Sequence, residues 1–184
     1  MLKTTFKMFY KEQYLRGKYF EKKRMGWYWA FRGLPSRLIG SHRRIPWPVH
    51  PRTIISNSKN ITFDINDLHI FQTPGCYWQN HKANIVIGEG SHVGPNVGLI
   101  TTNHDLYNLD NHGMGKDIIL GKSCWIGMNA VILPGVELGD HTIVGAGSVV
   151  TKSFPKGFCV IAGNPAKIIK ELDKHYLFEG TNNI

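Results

Sequence analysis

Nine histidines give the chain its clearest capacity for acid–base chemistry. An imidazole with a pKa near the ordinary value of about 6.5 can take a proton from a hydroxyl group at neutral pH. Most of these histidines lie in a linker, in irregular segments or at outward places of a repeat. His104 differs because it closes the last regular repeat before a polar, glycine-bearing excursion. It is therefore predicted to act as a general base, held on rigid backbone beneath a loop.

Polar residues near His104 could assist it. Asp105 follows directly, and a carboxylate can fix the tautomer of an imidazole and stabilise its protonated form. Asp110 and Asp117, further along the chain, are alternatives to Asp105 in that role. Asn103 could bind the acceptor or donate a hydrogen bond to a developing oxyanion, and a structural role at a corner suits it equally.

A six-residue repeat surrounds His104. Its first places hold aliphatic residues: Ile87, Val93 and Leu99 before the excursion, and Leu120, Ile126, Ile132, Leu138, Val144 and Val150 after it. Its fifth places are mostly small in the later hexads: Cys124, Ala130, Val136, Thr142, Ser148 and Phe154. A period of six fits neither an amphipathic helix nor a simple strand pair. It predicts short strands and tight turns, three to a triangular coil, with the first places stacked inside.

The coil is predicted to occupy residues 53–160, interrupted by an excursion loop at 105–117 where the register breaks. Residues 74–84 contain no clean hexad, and we expect them to form a loop or an imperfect corner. Together with the excursion, this irregular stretch is predicted to build the acceptor pocket, with Trp78 and Asn80 as candidate contacts.

The parts that flank the coil are expected to be helical. Residues 1–52 are predicted to form a basic, aromatic helical segment and a proline-rich linker, in which Pro35 ends a short helix. Residues 161–184 are predicted to form a C-terminal helix and tail. Asn164 and Pro165 break the preceding structure, so that the helix should occupy residues 166–175.

Positive charge is concentrated in the N-terminal segment. Residues 1–52 carry 13 Lys and Arg against 2 Glu, a net charge of +11, whereas residues 53–184 carry 9 against 11. The segment could cap the open end of the coil with a solvated basic face. Alternatively, residues 1–45 could contact an anionic membrane surface. The sequence contains no recognised nucleic-acid-binding motif, so nucleic acid is not expected as a partner.

The cysteine content favours a reducing compartment. Cys76, Cys124 and Cys159 show no metal-ligand spacing, and an odd number argues against a disulfide framework. The sequence has no apolar run long enough for a membrane span, and it begins without the apolar run of a signal peptide. A cytoplasmic location is therefore expected.

Five short motifs connect the chain to a known family: TTNHD, CWIG, ILPGV, GAGSVVTK and GNPAK. Over roughly residues 85–170 the chain resembles the hexapeptide-repeat acyltransferases, which include bacterial sugar O-acetyltransferases. The resemblance implies a mainly β fold, a left-handed parallel β-helix, with a helical N-terminal segment and a short C-terminal helix. It also implies a homotrimer with active sites between neighbouring prisms.

The resemblance assigns roles to individual residues. His104 would deprotonate the acceptor hydroxyl as that hydroxyl attacks the thioester of acetyl-CoA, with no covalent acyl-enzyme and no metal. Trp125 would face outward and line the cofactor groove. Further cofactor contacts would come from GAGSVVTK, from the position three past the tryptophan, and from cations for the phosphates: Met128, Ala146, Gly147, Ser148, Thr151, Lys152, Lys167 and Lys170.

The predicted function is O-acetylation of a sugar hydroxyl during assembly of a surface polysaccharide or lipopolysaccharide. N-acetylation of an amino sugar is the main alternative, because a general base serves an amine as well as a hydroxyl. A hexapeptide protein that only scaffolds an assembly is a further alternative. A zinc enzyme of the same fold is disfavoured, because the eight-residue spacing of His104 and His112 does not suit a three-histidine site.

Overall fold

The computed structural model describes residues 2–175. Within them lie four α-helices: α1 Leu2–Phe6, α2 Lys18–Glu21, α3 Met25–Arg32 and α4 Leu34–Leu38. The strands are β1 Ile54–Ile55, β2 Ile61–Thr62, β3 Tyr77–Gln79, β4 Ile85–Ile87, β5 His92–Val93, β6 Gly98–Ile100, β7 Ile118–Leu120, β8 Trp125–Ile126, β9 Val131–Ile132, β10 Glu137–Leu138, β11 Thr142–Val144, β12 Val149–Val150, β13 Cys159–Gly163 and β14 Ala166–Glu171. Three 3₁₀ turns occupy Glu12–Tyr14, Ser58–Asn60 and Ile65–Phe71.

The strands form three sheets, which are the walls of a coil. Sheet 1 has the order β1-β3-β6-β9-β12, sheet 2 has the order β10-β7-β4-β2, and sheet 3 has the order β14-β13-β11-β8-β5. Apart from the antiparallel pair of β13 and β14, neighbouring strands are parallel. The prediction of a mainly β fold with parallel strands is therefore confirmed.

The six-residue repeat of the sequence sets which residues pair between neighbouring strands of the sheets. Leu120 pairs with Leu138, 18 residues later, so that three hexads complete one coil. Ile87 pairs with Leu120 across 33 residues, which means that the excursion adds 15 residues to one coil and returns the chain to its place. The aliphatic first places are all at most 4 % exposed: Ile87, Val93, Leu99, Leu120, Ile126, Ile132, Leu138, Val144 and Val150. Their stacking is the core of the coil.

Glycine at the second place of the hexads lets successive coils approach closely. A Cβ atom on Gly121 would lie 2.6 Å from the amide nitrogen of Asp140, and one on Gly127 would lie 2.7 Å from that of Ala146. These distances are too short for a real side chain. Glycine is thus required at these places because the next coil leaves no space for a side chain.

Two predictions about the coil and the segment that follows it are wrong. Within residues 74–84, Tyr77–Gln79 is strand β3 of sheet 1, in register with β6. The hexad pattern did not reveal this strand, because its inward place holds the bulky Trp78 in place of Ile, Leu or Val. The predicted C-terminal helix is instead strand β14, since the turn at Pro165 reverses the chain and β14 pairs with the open edge of β13. The predicted tail beyond residue 175 lies outside the described residues.

The N-terminal segment caps the coil. Buried aromatic and aliphatic side chains join its helices to the core of the coil: Phe6, Tyr10, Leu15, Phe20 and Trp29. Tyr14 packs on Trp47, with ring centroids 5.1 Å apart, and on Phe63, at 5.9 Å. Pro35 lies in the first turn of α4, where a backbone N–H would have no partner within the helix, so the missing N–H of proline costs nothing there. The expectation that Pro35 ends a helix is therefore wrong. Among residues 2–175, no helix has the length and hydropathy of a membrane span.

Candidate active site around His104

The excursion folds back on the chain that precedes it. The amide of Asp105 donates to the carbonyl of Asn111 at 2.9 Å, and the amide of Gly113 donates to the carbonyl of Asn103 at 3.0 Å. Next to sheet 1, the amide of Lys116 donates to the carbonyl of Thr101 at 2.9 Å. The resulting antiparallel ribbon is continuous with β6, so that His104 is held on ordered backbone.

A backbone carbonyl fixes the imidazole of His104. Its Nδ1 lies 2.7 Å from the carbonyl oxygen of Leu109. Because a carbonyl oxygen only accepts, Nδ1 must carry the proton, and in the neutral ring Nε2 is then the unprotonated nitrogen. The ring of His104, whose side chain is exposed, is thus in the tautomer with a basic Nε2. This is the tautomer that a general base acting through Nε2 requires.

The prediction that Asp105 orients His104 is wrong. The Oδ1 atom of Asp105 accepts hydrogen bonds from the amides of Tyr107 and Asn108, both at 2.9 Å, and so shapes the turn of the excursion. The two alternative carboxylates, Asp110 and Asp117, do not orient His104 either. Asp117 accepts from the amide of Asn84 at 2.8 Å.

Asp110 contributes its backbone amide, which donates to the side chain of Asn108 at 3.0 Å. None of the three carboxylates is bonded to the imidazole of His104, and the carbonyl of Leu109 takes their place. Sequence reasoning missed this group because a backbone carbonyl leaves no signal in residue type.

Two further histidines stack beside His104. The rings of His104 and His112 are 4.2 Å apart at their centroids, and His81 meets His112 edge-on at 5.5 Å. The pKa of His112 is lowered, first by lost hydration and then by the nearby charges of His104, Lys82 and His81. Within residues 2–175 no group of three or more His, Cys, Asp or Glu residues is arranged to hold a metal ion. The stack thus links His104 through His112 to His81.

Gln79 is a second group that sequence reasoning did not single out. From the end of β3, its Oε1 accepts from the amides of Thr101 and Thr102 at 3.1 and 3.0 Å, and its Nε2 donates to the carbonyl of Thr102 at 2.8 Å. These bonds set the backbone two residues before His104. Gln79 thus helps to position the backbone that leads to His104.

One groove joins His104 to a predicted cofactor contact. It has a volume of about 260 Å³, and it is lined by Asn103, His104, Gly113, Met114, Lys116, Leu133, Pro134 and Thr151. His104 follows β6, Pro134 follows β9 and Thr151 follows β12, which are neighbouring strands of sheet 1. These residues therefore lie along one edge of the coil, with Thr151 two coils from the base.

Other predicted cofactor contacts lie on strand β8 of sheet 3 and at the corner between β8 and β9, which is the opposite edge of sheet 1. Trp125 and Met128 are 55 % and 48 % exposed, as expected for outward positions. The amide of Gly147 donates to the carbonyl of Met128 at 2.8 Å, so that Ala146 and Gly147 share a corner with Met128. Within one chain, this corner and the groove of His104 are separated by the width of a wall.

The cationic residues predicted to bind the cofactor are all exposed. Lys152 follows Thr151 at the edge that carries His104, and Lys167 and Lys170 lie on β14. Their ammonium groups are free to meet solvent or a phosphate.

Three predicted contacts are buried and are therefore wrong. Trp78 is 0 % exposed inside the coil. Asn80, also 0 % exposed, bonds the backbone of Asn57 through both its amide oxygen and its amide nitrogen. Ser148 is 0 % exposed as well, and its hydroxyl accepts from the amide of Gly163 at 3.2 Å. Each fills a corner or the core and cannot reach a substrate.

Comparisons with known proteins agree with this architecture. The family model described as bacterial transferase hexapeptide (six repeats) matches residues 117–152. The chain contains the hexapeptide repeat. Galactoside O-acetyltransferase of Escherichia coli K12 is 41 % identical over 101 residues, which are 52 % of this chain and 49 % of that protein. This hexapeptide-repeat chain thus spans about half the length of that relative.

Solved structures extend the similarity. A hexapeptide-repeat acetyltransferase of Vibrio cholerae, complexed with acetyl-CoA, is 29 % identical with a TM-score of 0.59 and covers 68 % of each chain. A galactoside acetyltransferase in complex with coenzyme A is 30 % identical with a TM-score of 0.58, covering 69 % of this chain and 62 % of that one. The resemblance drawn from the motifs of this hexapeptide-repeat chain is confirmed.

Proposed function

We propose that this protein is an acetyl-CoA-dependent O-acetyltransferase that acts on a sugar hydroxyl. The observation that carries the proposal is the groove lined by both His104, whose Nδ1 is held by the carbonyl of Leu109 so that Nε2 is the basic nitrogen, and Thr151. The similarity to acetyltransferases, two of them solved with acetyl-CoA or coenzyme A, supports the choice of donor.

The chemistry assigned to the chain is direct transfer. The acceptor hydroxyl gives its proton to Nε2 of His104 while its oxygen bonds to the thioester carbon. The C–S bond then breaks, and the coenzyme A sulfur leaves as a thiol after it receives a proton from the imidazolium. The carbonyl of Leu109 keeps the ring oriented throughout, and the outward-facing Trp125 and Met128 offer an apolar surface to the pantetheine arm.

The proposal includes a homotrimer. The contacts assigned to the cofactor are divided between two edges of sheet 1, so that a complete site needs a second prism. The tip of the excursion is apolar and exposed, with Leu106 at 88 %, Tyr107 at 98 % and Leu109 at 71 %. Such a tip suits burial against a neighbouring copy.

The remaining parts of the proposal follow from the sequence and the relatives. They are the left-handed winding of the coil, the division into residues 1–52, 53–160 and 161–184, and a cytoplasmic role in surface polysaccharide or lipopolysaccharide assembly. Contact of residues 1–45 with the inner face of the membrane is also proposed, supported by exposed apolar side chains beside the basic ones.

The test is release of thiol from acetyl-CoA in the presence of sugars, amino sugars or serine. His104→Ala should lower acceptor-dependent turnover by about 10²- to 10⁴-fold, as expected for a lost general base. His50→Ala, in the linker, is the matched control and should retain activity. Wild-type activity in His104→Ala would refute the mechanism. A preference for amino sugars would indicate N-acetylation, and failure of the wild type to bind coenzyme A would indicate a scaffold.

A further inference from the structure

A second groove opens beside the histidine stack, and its charged side chains are all cationic. It has a volume of about 890 Å³ and is lined by Gly40, Ser41, Arg43, Arg44, Ile45, Ile55, Ser56, Asn57, Ser58, Lys59 and His81. The lining contains no carboxylate, and Arg43, Arg44 and Lys59 form no ion pair within residues 2–175. The three cations are exposed, so the groove is a region of positive potential.

The backbone beneath the two arginines is fixed by a third. The guanidinium of Arg37 donates to the carbonyls of His42, Arg43 and Ile45 and lies over the ring of Tyr10 at 4.4 Å. The hydroxyl of Ser58 donates to the carbonyl of Arg44 at 3.1 Å. Arg43 and Arg44 are therefore presented from an ordered loop, and their guanidinium groups form no ion pair with any residue of the described part of the chain.

The groove leads along one edge of the coil to the catalytic histidine. Residues 56–59 follow β1, His81 follows β3 and His104 follows β6, and these are adjacent strands of sheet 1. Two strand spacings, about 10 Å, separate the first of these levels from the third. His81 lines the groove and contacts His112, which in turn contacts His104.

The groove is distinct from the region assigned to the cofactor. Thr151 and Lys152 follow β12, which is separated from β6 by β9, on the side of His104 away from β1. Lys167 and Lys170 lie on β14, at the edge of sheet 3. The cations of the groove therefore lie on the other side of the base from the predicted phosphate contacts of coenzyme A.

We infer that this groove binds the phosphate of the acceptor, so that the acceptor is a sugar joined to a phosphate or diphosphate. The inference rests on the proposed acetyl transfer at His104. Arginine suits the role because its planar fork binds phosphate oxygens in pairs. A hexose bound through its phosphate at Arg43 and Arg44 would extend along the edge of the coil toward Nε2 of His104.

The first test measures binding without acetyl transfer. The wild type is saturated with coenzyme A, so that the cofactor's own phosphate contacts are occupied, and is then titrated with inorganic pyrophosphate by calorimetry. Binding should be weakened at least tenfold in Arg43→Ala/Arg44→Ala. It should be unchanged in Arg16→Ala/Arg52→Ala, which removes the same charge outside the groove. Both variants need a wild-type circular dichroism spectrum. Absence of binding in the wild type, or equal binding in all three proteins, overturns the inference.

The second test separates the two sources of a sugar phosphate. Acetyl transfer is compared among glucose, UDP-glucose and a short polyprenyl diphosphate glucose in micelles. The phosphate-bearing acceptors should have the lower KM, and Arg43→Ala/Arg44→Ala should raise that KM with kcat little changed. Equal kcat/KM for glucose and both phosphorylated forms would refute the inference while leaving acetyl transfer intact. Pyrophosphate binding without transfer to any acceptor would instead count against the proposed function alone.

Discussion

At His104, a neutral carbonyl occupies the position that a carboxylate often takes beside a catalytic imidazole. The carbonyl of Leu109 selects the tautomer and holds the ring, but it stabilises a positive charge less than a carboxylate would. Asp105 contributes indirectly, because its carboxylate organises the turn that carries Leu109. The carboxylate therefore acts as an acceptor of amide hydrogen bonds, a role that a neutral amide oxygen can also fill.

Replacement of Asp105 should separate these two roles. Asp105→Asn keeps an oxygen that can accept from Tyr107 and Asn108, and it should retain kcat within about threefold. Asp105→Ala loses both bonds, each worth about 0.5–1.5 kcal/mol, and should lower kcat about tenfold by loosening the turn.

Steady-state kinetics with saturating acetyl-CoA is the measurement, with His50→Ala as the control. A loss near 10⁴-fold in Asp105→Asn, the size seen when a histidine-orienting carboxylate is neutralised in a triad, would show that the carboxylate itself is needed.

The motifs pointed to a histidine that the structure holds in the tautomer of a general base, but to the wrong neighbours. TTNHD singled out His104 because the residue type and the break in register coincide. Ser148 was misassigned although it lies in the regular repeat, where its small fifth-place side chain is buried. Trp78 and Asn80 were misassigned because a polar or aromatic residue in an irregular stretch gives no sign of which way it faces. Burial decides that, and burial depends on the pairing of β3 with β6, which the hexad pattern does not contain.

At the scale of elements, the repeat itself was readable because period and burial agree at every first place. The ends of the coil were not. The chain after Pro165 became a strand because β13 offered an unpaired edge, and a sequence gives no account of which edge is free. The capping role of the N-terminal helices likewise depends on tertiary contacts such as those of Tyr14 with Trp47 and Phe63.

The junction between the cap and the coil contains a titratable pair. His69 Nε2 lies 3.0 Å from His92 Nδ1, and the ring of Tyr19 from the cap is 5.7 Å from that of His69. Burial, together with the charges of His92, Lys18 and Lys23, lowers the pKa of His69 to about 4. The folded protein thus keeps His69 neutral at pH values where the unfolded chain would protonate it.

Stability should therefore fall as the pH falls from about 6.5 toward 4. Over that window the unfolded state binds more protons at His69, which costs at most about 1.4 kcal/mol of unfolding free energy per pH unit. Urea unfolding at pH 7 and pH 5 is the measurement, and His69→Gln should reduce the difference between the two. A smaller dependence should remain from His42, whose pKa burial also lowers. If His69→Gln left the difference unchanged, the linkage would lie elsewhere.

At the scale of the whole molecule, the strand order of sheet 1 gives the coil two different ends. Its five strands run from β1, beside the cap, to β12, beside the predicted cofactor contacts, with His104 after the middle strand. The basic groove, His104 and the predicted contacts Thr151 and Lys152 thus follow one another along a single edge, whereas Met128, Ala146 and Gly147 lie at the opposite edge. Under the proposed function, acceptor and donor would approach His104 from opposite ends of the coil, so that neither would have to leave before the other binds.

The cap also presents apolar side chains next to its cations. Leu38 is 73 % exposed, Ile39 80 % and Met8 81 %, and they line a groove shared with Arg37 and Arg43. Apolar residues rimmed by arginine and lysine are typical of surfaces that sit at the headgroup level of an anionic bilayer. Because the helices also close the core of the coil, deleting them would unfold the protein, and point substitutions are the proper test.

Leu38→Ser/Ile39→Ser should weaken sedimentation with vesicles of one part phosphatidylserine to three parts phosphatidylcholine by about tenfold, since each side chain loses part of the 1.5–3 kcal/mol available from burial. Ile168→Ser/Ile169→Ser, on the exposed face of β14, is the matched control and should bind as the wild type does. Raising the salt concentration should weaken wild-type binding, because each cation near the surface contributes about 1 kcal/mol. Equal binding by both variants would mean that the cap serves only the coil. A soluble nucleotide-linked sugar would then be the expected acceptor for the groove inferred above to bind phosphate.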